Sequence, residues 1–185
     1  DPVDIVTASR VEEVREALRG VEGAASAGLY VVGYVGYEAA PAFDPALAVR
    51  QGARMPLLWF GAFRGAGDGR WASGVSGDEV GDGARPGRWS PTVGREEYGG
   101  AIGSIRAAIG RGDLYQVNYT LRLRAPFVGD PWFFHRRLLA AQGSSYGAYL
   151  DLGAFRILSA SPELFFRREG DAITVRPMKG TARRG

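Results

Sequence analysis

Ten consecutive residues, Tyr115 to Arg124, alternate without a break. Tyr115, Val117, Tyr119, Leu121 and Leu123 fall on one side, and Gln116, Asn118, Thr120, Arg122 and Arg124 on the other. Successive side chains of an extended chain point to opposite faces, so this pattern predicts a half-buried strand with a polar face. Such a strand requires a sheet to pair with and a core to cover its apolar side. Its polar face meets either solvent or a cleft.

The rest of the chain supplies both kinds of element. Residues 10–19 read as a helix, with Val11, Val14 and Leu18 on one face and Glu12, Glu13, Arg15 and Glu16 on the other. Leu29 to Glu38, rich in Val and Tyr, reads as a strand. The spacing of Gly33 and Gly36 fits neither nucleotide-binding pattern and points to close strand packing instead. Residues 41–45 form a turn, and Leu57 to Phe63 a short apolar strand. Gly65 to Pro91, dense in Gly and Asp, is expected to be a mobile surface loop pinned by Trp71 and Trp89. A helix over Arg95 to Ile109 carries Tyr98, Ile102, Ile105 and Ile109 on one stripe. Its three glycines weaken it, so burial must hold it, and Gly110 to Asp113 ends it. Pro131 opens a third helix at a first-turn position. Tyr146 to Leu152 and Phe155 to Ala160 are expected strands joined at Gly153. Leu164 to Arg168 and Ala172 to Arg176 form a hairpin around residues 169–171. Strands and helices in no strict alternation predict an α+β fold.

Composition narrows the chemistry. With 185 residues, 45% apolar and 23% charged, the chain reads as an ordinary globular one. It contains no cysteine, which excludes disulfide and thiol chemistry, and its single histidine, His135, leaves no visible zinc site and reads as structural. No apolar run reaches the roughly 20 residues of a membrane helix, and no secretory pattern opens the chain. A cytoplasmic protein is therefore expected, with no membrane partner. A net charge of +3 mildly favours an anionic partner, but no basic run interleaves with aromatics, so nucleic acid is not expected. A chain that opens at Asp1 and closes on Arg183-Arg184-Gly185 is expected to be a fragment.

Lys179 stands apart. It is the only lysine, and every other cationic side chain of the Lys/Arg class is arginine. Arginine stays protonated, whereas a lysine amine can lose its proton and become a nucleophile. One chance lysine on a surface loop is the bland alternative. The setting weighs against it, since a β-like run from Asp171 to Arg176 ends at Pro177 and Gly180 follows directly, as a strand feeding a tight loop would.

Four segments then occur in one order: Gly33-Tyr34-Val35-Gly36-Tyr37-Glu38, Gly112-Asp113-Leu114-Tyr115-Gln116-Val117-Asn118, Ser159-Ala160-Ser161-Pro162-Glu163-Leu164-Phe165, and Arg176-Pro177-Met178-Lys179-Gly180-Thr181. Together they resemble the chorismate-binding enzymes, and within them the aminodeoxychorismate synthase branch. Met178 stands where that branch usually has Ile. The resemblance implies an α/β/β/α sandwich, mixed or antiparallel sheets covered by helices, of which residues 1–185 would be the N-terminal part of a single domain.

The resemblance also implies chemistry. Lys179 resembles the lysine that attacks C2 of chorismate as the C4 hydroxyl leaves, forming a covalent adduct. Ammonia from a glutamine amidotransferase partner then adds at C4 and expels the lysine, giving 4-amino-4-deoxychorismate for folate and p-aminobenzoate synthesis. Relatives that make anthranilate or isochorismate carry Ala at this position. Glu163 resembles the general acid that protonates the departing hydroxyl. Gln116 occupies the position where isochorismate and salicylate formers have a water-activating lysine, and an amide cannot act as that base. Gly180 and Thr181 are implied to bind substrate. The cofactor implied is Mg2+, with its ligands expected outside this chain and no metal ligand within it. Ser145-Tyr146-Gly147 departs from the Pro-x-Ser segment that holds tryptophan in some relatives, and the partner segment is not recognisable, so the sequence does not decide whether a tryptophan site exists. A cap or ion pair for Glu163, an ordinary sheet-face amide for Gln116, a sister activity within the family, and a non-catalytic module for acidic ligands remain the competing readings.

Overall fold

The computed structural model describes residues 1–52, 54–67, 83–143 and 146–177. The chain divides into two compact units, one of Asp1–Ser76 with Leu150–Ile157, the other of Gly77–Tyr149 with Leu158–Gly185.

In the first unit, β1 (Asp4–Ala8), β2 (Tyr30–Val35) and β3 (Leu58–Phe63) form an antiparallel sheet in the order β1-β3-β2. Helix α1 (Val14–Ser26), entered through a 3-10 turn over Val11–Glu13, packs on one face of it. Val14 and Leu58 are fully buried there with Ala8 and Ala39, and Val6, Val11, Leu18 and Phe60 close around them. Full burial of a side chain of this size contributes about 1.5–3 kcal/mol, so these few residues hold the unit. The apolar face read from the sequence is the one that faces the sheet, but α1 runs on to Ser26 because packing overrides the weak propensity of Gly20 and Gly23. The start of the helix is fixed by Glu13, whose Oε2 accepts from the backbone N–H of Ser9 at 2.9 Å and of Arg10 at 3.0 Å. Arg15 reaches across to a second 3-10 turn, Tyr37–Ala42, donating to the carbonyls of Ala42 at 2.6 Å and Phe43 at 3.1 Å. Gly33 sits where close strand packing demands it, since a Cβ there would run into the Trp59 carbonyl oxygen.

In the second unit, residues 84–92 run antiparallel to residues 122–128 as a broken ribbon. Strands β4 (Arg85–Pro86) and β5 (Ser90–Pro91) pair with β7 (Phe127–Val128) and β6 (Leu123–Arg124) respectively. The N–H groups of Gly87 and Thr92 bond to the carbonyls of Pro126 and Arg122 at 2.7 and 2.9 Å between and beyond them. Part of the expected mobile loop, residues 68–82 with Trp71, lies outside the described residues. Its last stretch is corrected to this ribbon, and Trp89 is 51% exposed rather than a pin.

Helix α2 (Arg95–Arg111) matches the expected helix, but no residue of it is buried. The expectation that burial holds it is corrected: Ile102 and Ile105 are half-covered, while Tyr98 and Ile109 are exposed. Helix α3 (Pro131–Gln142) begins as read, with Pro131 in its first turn and Asp130 Oδ1 accepting from the Trp132 N–H at 2.8 Å. Phe134 of α3 packs edge-on against Phe127 at 5.4 Å.

The remaining strands are two hairpins, β8 (Tyr146–Asp151) with β9 (Arg156–Ser161), and β10 (Leu164–Glu169) with β11 (Ala172–Arg176), close to the expected bounds. The alternating stretch is the main departure. Only Leu123 and Arg124 are in a ladder; Tyr115, 92% exposed, is in a bend, and residues 116–122 have no regular secondary structure. Alternation specifies which side chains share a face, but a strand forms only beside a partner backbone, and among the described residues none lies in register with 115–121. The Tyr119 ring against Tyr98 of α2, edge-on at 5.7 Å, is a contact that does hold the stretch. The architecture is thus helices with antiparallel sheets, the α+β class expected.

Candidate active site

Gln116 lies in the irregular stretch before β6 and Glu163 in the two-residue bend between β9 and β10; both are exposed and both belong to the second unit. The bend exists because Pro162 cannot donate to a ladder, so the strand breaks at Ser161 and resumes at Leu164. Pro162 and Glu163 are thereby carried out of the ladder while Ser161 and Leu164 on either side stay in it. Lys179, Gly180 and Thr181 lie outside the described residues, as does Met178. The described chain leads up to them through β11, which ends at Arg176, and through Pro177.

Around these positions the charge is mostly arginine. Arg167 pairs with Glu169 at 3.4 Å, and Arg168 donates to the Gly170 carbonyl at 2.9 Å. Arg176 Nη1 donates to the Tyr146 hydroxyl at 3.3 Å. A contact between β11 and β8 cannot be read from local sequence, and no signal short of a partner alignment would have found it.

The single histidine is placed where its solitary state suggested. His135 is 2% exposed, its ring 6.0 Å from that of Trp132 and 5.6 Å from that of Tyr149, and burial pushes its pKa down. Its Nδ1 is buried without a hydrogen-bond partner. A neutral imidazole in an aromatic setting is a core residue, not an acid or base reaching substrate.

No group of three or more His, Cys, Asp or Glu side chains among the described residues could hold a metal ion. These residues do not fit a Mg2+ site, and no chemical step is assigned to one. Two clefts, of about 530 and 390 Å³, are lined by residues of the first unit, and neither includes Gln116 or Glu163. No helix of the described residues is long and apolar enough to cross a membrane.

The chain is similar to known proteins over part of their length. Over 112 residues it is 38% identical to anthranilate synthase component 1 of Thermus thermophilus, covering 60% of this chain and 24% of that protein. Over 88 residues it is 43% identical to aminodeoxychorismate synthase component 1 of Klebsiella aerogenes, covering 47% and 19%. In these matches the chain spans about a fifth to a quarter of the relatives' length. Its fold is similar to that of anthranilate synthase component I from Streptococcus pneumoniae, with a TM-score of 0.64 at 18% identity over 79% of this chain and 41% of that one. The model of the chorismate binding enzyme family matches residues 2–185, so the two units, the Glu163 bend and the strand leading to Lys179 are all parts of one family pattern, and the chain belongs to the chorismate-binding enzymes.

Proposed function

We propose that the protein carrying this chain aminates chorismate to 4-amino-4-deoxychorismate through a covalent adduct on Lys179, with ammonia delivered by a glutamine amidotransferase partner. The observation that carries the reading is the one lysine in an otherwise all-arginine set, placed directly after Arg176-Pro177. The similarity to aminodeoxychorismate synthase component 1 supports it.

The steps balance as follows. The neutral Lys179 amine forms a bond to C2, the ring double bond shifts, and the C4 hydroxyl departs as water with a proton from Glu163. The adduct nitrogen gives up one proton, which restores Glu163. Ammonia then bonds to C4 and gives up one proton, the double bonds shift back, and the C2–nitrogen bond breaks as the lysine nitrogen takes up one proton and returns as the neutral amine. Hydroxide is a poor leaving group, so the acid is needed, and general acid catalysis is typically worth about 10²–10⁴-fold. Glu163 is exposed in the chain as described. Gln116 contributes by what it lacks: an amide can orient water or substrate but cannot deprotonate water, so hydroxide does not compete with the lysine. The surrounding arginines attract the dianionic substrate.

A second reading is favoured by the relative from Thermus thermophilus, which matches the longer stretch and is named for anthranilate synthesis. The two part at Lys179, which the first requires and the second does not. Incubating the full-length protein with chorismate and magnesium, without ammonia, should add the mass of chorismate less one water, mapping to Lys179. Lys179→Arg should gain none, because a guanidinium has no available lone pair. No adduct in the unmodified protein, an adduct that survives Lys179→Arg, or anthranilate as the product once ammonium is added would end this reading.

A further inference from the structure

We propose that the first unit carries a small-molecule site, in which the cleft beside residues 49–52 takes an organic acid with one carboxylate on an apolar body. Every residue lining the cleft belongs to that unit, so the site stands or falls independently of Lys179.

The cleft has a volume of about 390 Å³. Pockets for small molecules typically measure roughly 300–1,000 Å³ and combine an apolar lining with a few polar groups. Part of this lining is already fixed. Leu57 is 8% exposed, and its carbonyl accepts from the Gly36 N–H at 2.7 Å. Arg10 is spent on its neighbours, with Nε 3.0 Å from Glu12 Oε1 and Nη2 2.7 Å from Glu13 Oε1. Glu38, half-buried, is engaged as well.

Residues 49–52 differ. Among the described residues, neither their backbone N–H groups nor the side chains of Arg50 and Gln51 make a hydrogen bond or an ion pair. Backbone amides, a guanidinium with five N–H donors and a carboxamide are thus gathered on one short run beside the cleft, with no acceptor from the protein.

Unspent donors around a cavity favour an anion, and the charge count selects which one. Arg50 is the one lining cation not already paired among the described residues, so it matches one negative charge. A dianion would bring a second charge with no partner, which is costly once water is displaced. The planar guanidinium offers two parallel N–H groups to a carboxylate. Val11, Val49 and Leu57 supply apolar surface to cover the rest of the acid, which a bare inorganic anion could not use.

The test uses phenylglyoxal, which modifies arginine side chains, with peptide mapping of the full-length protein to read the rate at each one. Benzoate should slow modification of Arg50 about tenfold at about ten times its half-protecting concentration. Arg19, exposed on α1 and not part of the cleft, should be unaffected. Benzamide, with the ring but no charge, should not protect, and acetate, with the charge but no ring, should need at least about tenfold more. Gln51→Glu sets a like charge beside the carboxylate and leaves Arg50 in place as the reporter. It should raise the half-protecting benzoate concentration at least about tenfold. Equal slowing at Arg19, protection by benzamide, undiminished protection in Gln51→Glu, or no protection at all overturns the proposal. Protection by benzylamine in place of benzoate would make the cleft a cation site and overturn it too.

Discussion

Gly129 and Ala84 meet so closely that a Cβ built on the glycine would stand 2.6 Å from the Ala84 Cα. The same Ala84 is 1% exposed, and its carbonyl accepts from Arg137 Nη1 at 2.9 Å. Gly129 also has φ +86, in the left-handed region. Gly129→Ala should therefore destabilise by about 2–4 kcal/mol, from left-handed strain and overpacking together. Gly153 in the β8–β9 turn is the control, with φ +77 and open space where a Cβ would go. Gly153→Ala should cost only about 1–2 kcal/mol. Urea unfolding of both variants checks this, and equal costs would show that the Ala84 contact is irrelevant.

His135 should make stability depend on pH. Burial holds its pKa below the ordinary 6.5, so the folded chain favours the neutral ring while the unfolded chain takes up a proton near 6.5. Its contribution is present above that value and is lost as pH falls through it toward the lower folded value. The urea midpoint should fall from about pH 7 to about pH 5.5. His135→Phe, which also removes the unbonded Nδ1, should flatten that fall, and parallel profiles would contradict the assignment.

Glu13 predicts a second, more acidic loss. The N–H groups of Arg10 and then Ser9 hold its carboxylate below the ordinary 4.5. A depressed carboxylate stabilises above its unfolded pKa and ceases to do so as pH falls through the folded one. Glu13→Gln should therefore lower the melting temperature at neutral pH, with the gap to wild type closing below about pH 4. A gap that stays constant into acid would mean that charge plays no part in this cap.

Glu163→Gln, which keeps the shape and removes the proton, should slow formation of the Lys179 adduct by about 10²–10⁴-fold in single-turnover mass measurements. The melting temperature should barely move, since the side chain is exposed in a bend. An unchanged rate would return Glu163 to a purely structural role.

What the sequence made legible follows from the range of the interactions involved. Val11, Val14 and Leu18 share a face through helical geometry alone, and they do pack on the core. The β8–β9 and β10–β11 hairpins are equally local, each announced by a glycine between two apolar runs. Strand β1 passed unnoticed because Ile5-Val6-Thr7 is too short to alternate visibly and depends on β3, more than fifty residues away, for its pairing. The ribbon of β4 and β5 was hidden in a Gly- and Pro-rich stretch that has no propensity for it, yet Gly87 and Thr92 bond to residues 126 and 122. At the candidate site, Lys179 was marked by being the one lysine and Gln116 and Glu163 only by the family resemblance, while Tyr146 bonding to Arg176 is a long-range contact with no local signature.

The stretch from Tyr115 to Leu121 has a consequence for handling the chain in solution. Tyr115, Val117 and Leu121 are exposed on it, so it offers apolar side chains to which another copy can adhere. What keeps copies apart is the mutual repulsion of molecules that each carry +3. That repulsion reaches only about 10 Å at 0.1 M salt and about 3 Å at 1 M. The chain will stay dispersed in dilute buffer and clump as salt rises, the reverse of a protein whose association is held by ion pairs.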